Sequence, residues 1–282
     1  MTDSLPLRFR VALGHVAELG EEEASTGGLR VFLARGRQDD PSAPPTRRVV
    51  LHPAPPDGPT PDALHRRADQ LLVLTHPTIA APLATGVFEG RGWVVDPIPP
   101  GMPVATHLEE RGVLSLREVI TVLRDITRAL VALHRRGLAH GHLTTATVLL
   151  EPRGTVLAGL GLADAGTPAE DLRSLGLLAW EMLVGTPHRG TGERALREVR
   201  PSASVQLEAL VAGLLAKAGA PRPAKAEDVL TALDHFPPLA PAVIADFLDG
   251  IGSGGRAGRR GWQGFGSVSG AAGALLGRLR GR

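Results

Sequence analysis

Hydrophobic and polar positions first suggest a small β-rich region. Phe9 to Leu13 and Leu29 to Arg35 read as strands, and Arg47 to His52 reads as a third after a proline-rich turn. A helix is predicted next: Thr60 can cap it, Pro61 takes the first helical position, and Leu64, Ala68, Leu71 and Leu72 fall on one face. Ile79 to Phe88 and Trp93 to Asp96 flank the turn Glu89-Gly90-Arg91-Gly92, which predicts a strand pair. From Pro103 the apolar period becomes helical. Ser115 and Glu118 form a capping box ahead of Val119, Val122, Leu123, Ile126, Leu130 and Leu133. A further helix is predicted from Asp171 to Val184, ending at Gly185 before Pro187, and two more over Val205 to Ala218 and Ala226 to His235. The expected class is α+β, with a small β-rich lobe carrying one helix over residues 1–102 and a larger helical lobe over 103–236.

Composition changes this picture mainly at the end of the chain. Residues 237–282 shift to proline, glycine and arginine, with no acidic residue after Asp249 and with Arg256, Arg259, Arg260, Arg278, Arg280 and Arg282 all cationic. Such a tail reads as a solvated extension, or as an electrostatic contact for an anionic membrane, nucleic acid or acidic protein, helped by Trp262, Phe265, Leu275, Leu276 and Leu279. Composition does not separate these readings, and no nucleic-acid motif supports one of them. The chain has 282 residues and no cysteine, which excludes disulfides and thiolate metal sites and suits the cytoplasm. Met1 to Arg10 lacks an apolar core of signal-peptide type, and no run approaches the roughly 18 to 20 apolar residues of a spanning helix. The only lysines are Lys217 and Lys225, and asparagine is absent.

Five motifs in order carry a resemblance. Leu74-Thr75-His76-Pro77-Thr78-Ile79 is similar to L-x-H-P-N-I. His140-Gly141-His142-Leu143-Thr144-Thr145-Ala146-Thr147 is similar to H-R-D-x-K-P-x-N, and Leu157-Ala158-Gly159-Leu160-Gly161-Leu162-Ala163 to L-A-D-F-G-L-A. Asp171-Leu172-Arg173-Ser174-Leu175-Gly176 through Gly185-Thr186-Pro187 is similar to D-x-x-S-L-G through G-x-x-P, and Arg222-Pro223 to the R-P before a last helix. Over residues 8 to 236 the chain thus resembles the bacterial serine/threonine protein kinase domain, which implies a two-lobed fold.

The resemblance also implies that the chemistry is lost. Phosphoryl transfer needs cations for the phosphates, oxygen ligands for Mg²⁺ and a carboxylate for the substrate hydroxyl. The family's phosphate-binding lysine falls on His52 and its glutamate partner on Arg67, which cannot form that ion pair. The substrate-orienting aspartate falls on His142, the adjacent lysine on Thr144, the metal-binding asparagine on Thr147 and the metal-binding aspartate on Gly159. No cofactor or metal is therefore implied. Of the phosphate-covering loop only Gly14 remains, with Val16 and Leu19 at the next glycine positions. At the hinge Pro97, Pro99 and Pro100 lack N–H groups, leaving Asp96 and Ile98 as residual adenine contacts. Nine residues lie between Gly161 and Asp171, so the activation segment is shortened. In a competing register Asp164-Ala165-Gly166 stands for D-F-G.

The expected function is a pseudokinase acting as scaffold or regulatory binding module toward a protein partner. Its rivals are a degenerate nucleotide sensor and an active kinase with relocated residues. By the same resemblance His140 packs beneath the catalytic loop, and Asp171 hydrogen-bonds that loop's backbone. A general-base role for His142 is chemically conceivable near neutral pH.

Overall fold

The computed structural model describes residues 5–26, 28–40, 42, 44–151, 154–162, 166–190, 194–216 and 222–237. Asp164, Ala165, Lys217 and the tail beyond residue 237 lie outside the described residues.

Five antiparallel strands form the first sheet: β1 (Glu18–Thr26), β2 (Leu29–Arg35), β3 (Arg47–Leu51), β4 (Ala84–Phe88) and β5 (Arg91–Pro97), in the spatial order β1-β2-β3-β5-β4. The final crossover places β5 beside β3, with Val49 opposite Val95 and Arg48 opposite Asp96. Inward apolar residues Phe32, Val49, Leu51, Trp93 and Val95 form the small-lobe core.

The expectation of a strand over Phe9 to Leu13 is corrected, because the chain forms helix α1 (Leu5–Leu13) there. Phe9 and Leu13 are fully buried while Leu7 and Val11 are exposed, a four-residue spacing that suits a helix lying on the sheet. Phe9 packs with tilted rings against Phe32 and Phe88 at centroid distances of 5.8 and 5.0 Å. The small lobe thus carries a helix beyond the one assigned from the sequence. Of the positions aligned with the phosphate-covering loop, Gly14 and Val16 precede β1 and Leu19 lies within it, so none stands in the tight turn between β1 and β2, which contains Gly28 with a φ of +83° that suits glycine.

Helix α2 (Pro61–Leu72) forms as expected, with Thr60 accepting the Ala63 N–H and Leu64, Ala68 and Leu71 buried. A second, three-stranded sheet joins β6 (Met102–Pro103), β7 (Val148–Glu151) and β8 (Gly154–Leu157). Short α3 (Val104–Arg111) precedes α4 (Leu116–His134), whose capping box closes through Ser115 and Glu118 and whose apolar face centres the large-lobe core. Helix α5 (Pro168–Val184) starts three residues before the expected Asp171, because Thr167 and Glu170 form another capping box. Gly185 ends it in the left-handed conformation. Helices α6 (Leu196–Val199), α7 (Val205–Leu215) and α8 (Ala226–Asp234) complete the lobe. Arg124 of α4 ties α8 down by donating to the carbonyls of Leu233 and Phe236 at 2.7 and 3.0 Å.

The two lobes are also joined through backbone. Leu157 N–H donates to Thr78 O at 2.7 Å, and Ala80 N–H to Leu157 O at 2.9 Å. The residues at issue for function sit where these lobes face each other.

Candidate functional site

The loop between α4 and β7 is built around two buried side chains. His140 is fully buried, and its Nε2–H donates to Ala158 O at 3.0 Å while Nδ1 accepts the His142 N–H at 3.2 Å. A carbonyl can only accept and a backbone N–H can only donate, so the ring holds its single proton on Nε2. Burial, helped by neighbouring His142 and Arg67, pushes its pKa down to about 4 despite the opposing pull of Asp171, so the imidazole is neutral. Asp171, near the start of α5, accepts from His140 N at 2.7 Å, Gly141 N at 2.9 Å and His134 Nε2 at 2.9 Å. Burial opposes its ionisation, but these hydrogen bonds outweigh burial and hold the carboxyl below its ordinary range. Both residues occupy the places that the resemblance implies for them.

The positions aligned with catalytic groups make local contacts of their own. Thr147 Oγ1 accepts the Thr144 N–H at 2.9 Å and lies 3.1 Å from the carbonyls of His142 and Thr144, closing the loop on itself. His142 is partly buried, and desolvation lowers its pKa, so its ring is neutral at neutral pH. Gly159 adopts φ +79°, and a Cβ there would stand 2.9 Å from Leu162 Cδ1 and 3.1 Å from Thr147 Cγ2. A carboxylate at residue 159 would require both backbone strain and displacement of neighbours.

A single 3-10 turn, Leu160–Leu162, follows β8 and docks on β5. Its central Gly161 is gripped from both sides of its own backbone. His52 Nε2–H donates to Gly161 O at 2.9 Å, and Asp96 Oδ2 accepts Gly161 N–H at 2.9 Å. Only glycine fits, since a Cβ at residue 161 would lie 2.7 and 2.9 Å from the two Asp96 oxygens and 2.8 Å from Val94 Cγ1. Burial pushes the Asp96 carboxyl up to about 6, against the Gly161 N–H and the attraction of Arg48 and Arg67. Arg67 Nη2 reaches across from α2 to the carbonyls of Ala139 and His140 at 2.8 and 3.2 Å.

Two hinge expectations need correction. The Asp96 side chain is not free to meet an adenine, because its carboxylate is buried against Gly161. Ile98 N–H is already donated to Thr46 O at 2.8 Å, and prolines 97, 99 and 100 have no N–H to offer. The crevice lined by Leu64, Arg67, Ala68, Leu71, Val94, Leu160 and Gly161 leaves about 10 Å³, room for roughly one water.

Among the described residues, those at the family's positions thus do not fit its ATP and Mg²⁺. The hinge donor is occupied, the metal-carboxylate position is a glycine at φ +79° where a side chain would be strained, and the lysine position holds a histidine bonded to backbone. Among the described residues no group of three or more His, Asp or Glu side chains is placed to hold a metal. Also among them, no helix is long and apolar enough to cross a membrane. The Asp164 register lies outside the described residues.

The sequence reading did not anticipate the Gly161 clasp. Its signal was Asp96 itself, a lone acid at the end of the apolar run Trp93-Val94-Val95. The contact between Thr145 Oγ1 and Glu181 Oε1, at 3.5 Å, also went unread.

No family model matches the chain. It is similar to the probable serine/threonine-protein kinase pknA2 of Bifidobacterium longum, with 26% identity over 153 residues, covering 44% of this chain and 20% of that protein. It is similar to the serine/threonine-protein kinase PknA of Mycobacterium tuberculosis, with 31% identity over 180 residues, covering 60% of this chain and 40% of that protein. A match to the EKC/KEOPS complex subunit BUD32 of Gibberella zeae has 28% identity over 127 residues, covering 39% and 48%. The chain therefore spans between a fifth and about half the length of these relatives. With its strand order, helix α2 and buried His140–Asp171 pair, the chain carries a protein kinase-like domain similar to part of the bacterial serine/threonine protein kinases.

Proposed function

We propose that this protein kinase-like domain works as a pseudokinase, a scaffold or regulatory module for a protein partner, and does not transfer phosphoryl groups. The observation that carries this reading is the Gly161 clasp. His52, at the position of the phosphate-binding lysine, is buried and donates to a backbone carbonyl. Its ring is thereby turned from any phosphate, and Arg67, at the position of the lysine's partner, holds the loop at residues 139–140. Charge stabilisation of a transferring phosphoryl group rests on such cations and on metal-bound oxygen ligands. The neutral His142 cannot supply the negative charge that a carboxylate offers a substrate hydroxyl.

Support for a contact role comes from apolar side chains left exposed on the small lobe. Leu7 and Val11 project from α1, and Leu83 and Val87 lie at the open edge of the sheet beside β4. The basic tail adds a second candidate contact, toward an anionic surface.

Incubation of the purified chain with Mg²⁺ and γ-labelled ATP, alone and with general protein substrates, tests the reading. No incorporation above that of a heat-denatured control is expected. Incorporation that scales with enzyme concentration, and disappears on substitution of a cleft residue, would establish an active kinase with relocated groups.

A further inference from the structure

We propose that the grip of Asp96 and His52 on Gly161 is a proton-operated latch between the lobes, in which a protonated Asp96 favours the docked turn and ionisation favours its release. This goes beyond the absence of phosphoryl transfer and does not depend on it. The geometry supplies the latch. One residue of the turn is held through both its N–H and its C=O, by Asp96 on β5 and by His52 immediately after β3, each at 2.9 Å. Asp96 is 1% exposed, and its Oδ1 has no hydrogen-bond partner. In that setting an anionic oxygen without a donor is costlier than a neutral hydroxyl.

The charged and titratable groups facing Asp96 come from β3, from the residue that follows it and from helix α2. Beyond β3 stands His52, and β3 itself contributes Arg48, the cross-strand neighbour, which is engaged by Glu23 of β1 at 2.8 and 3.3 Å. Helix α2 contributes Arg67. Strand β4 and the turn Leu160–Leu162 carry no titratable side chain. Burial outweighs both guanidiniums, which places the docked carboxyl at about 6 against an ordinary 3.8. Undocking admits water and returns the group toward the ordinary value. The docked state therefore binds the proton more tightly. Its advantage is complete below the ordinary carboxyl range and is lost as pH rises through about 6, by up to about a hundredfold in the docking equilibrium. Release would open the crevice between α2, β5 and the turn.

Amide hydrogen exchange at Gly161 in the full chain, corrected for the intrinsic rate and followed from about pH 4 to about pH 7.5, reads the latch directly. Protection is expected to fall about tenfold to a hundredfold across that range, and to stay high and flat in Asp96→Asn, which keeps an acceptor but cannot ionise. Flat protection in the unmodified chain, or an unchanged profile in Asp96→Asn, would overturn the proposal. His52→Gln retains a donor for the Gly161 carbonyl and should preserve the profile; its loss would place the titration on His52 and defeat the assignment to Asp96. A carboxyl-carbon NMR titration of the unmodified chain provides an independent reading. A midpoint near 6 supports the latch, and one in the ordinary carboxyl range contradicts it.

Discussion

The carboxylate of Asp171 accepts the backbone N–H groups of His140 and Gly141, at 2.7 and 2.9 Å, so one side chain on α5 fixes the loop that leads into β7. His134, the last residue of α4, adds a third bond at 2.9 Å. A single buried anion therefore organises three segments of the large lobe.

Asp171→Ala is expected to cost about 3–5 kcal/mol, since it leaves three donors without their acceptor in a buried setting. Denaturant unfolding at neutral pH measures the loss. Because the folded carboxyl lies below its ordinary 3.8, its contribution is present above that value and lost as pH falls through the lower folded pKa. The gap between the unmodified chain and Asp171→Ala should therefore narrow only in strong acid.

Gly159→Asp restores the carboxylate that the family uses for metal. Here it meets φ +79° and close contacts with Leu162 and Thr147. A destabilisation of about 1–3 kcal/mol is expected, read by thermal unfolding. The substitution should confer no magnesium-dependent nucleotide affinity, because His52 and Ile98 remain committed to Gly161 and Thr46.

Arg67→Glu would likewise restore a family residue type without restoring its ion pair. The new carboxylate would face the carbonyls of Ala139 and His140, which now accept from the guanidinium. A loss of about 1–3 kcal/mol is expected, with faster amide exchange in residues 139–147 than in the unmodified chain.

Arg124→Met keeps much of the buried aliphatic length but leaves the carbonyls of Leu233 and Phe236 without their donor. A cost of about 1–3 kcal/mol is expected. Exchange should accelerate first in α8, which packs against α4, and only later in α4 itself.

Much of this fold could be read from local chemistry. Helices α2 and α4 announced themselves through Thr60-Pro61 and through the Ser115–Glu118 box, because caps and apolar periodicity are properties of short segments. Helix α1 was misread because Phe9 to Leu13 is too short for its period to declare itself. Its helical spacing becomes evident only when Phe9 and Leu13 meet the sheet. Strand β1 went unread because Glu21, Glu22 and Glu23 argue against a strand locally. Pairing with β2 and the bonds of Glu22 to Arg30 and Glu23 to Arg48 supply what propensity lacks. At the site, the sequence indicated which residue types stood at His52, Arg67, Thr147 and Gly159. It could not tell that His52 and Asp96 converge on Gly161, because that contact joins segments 109 and 65 residues apart.

The pseudokinase reading is tested by calorimetry of the purified chain with ATP and ADP, each with and without Mg²⁺. No magnesium-dependent heat of binding is expected at nucleotide concentrations up to the millimolar range. Micromolar affinity that requires Mg²⁺ would contradict that reading, since it would demand oxygen ligands and a free hinge donor that the described residues do not offer.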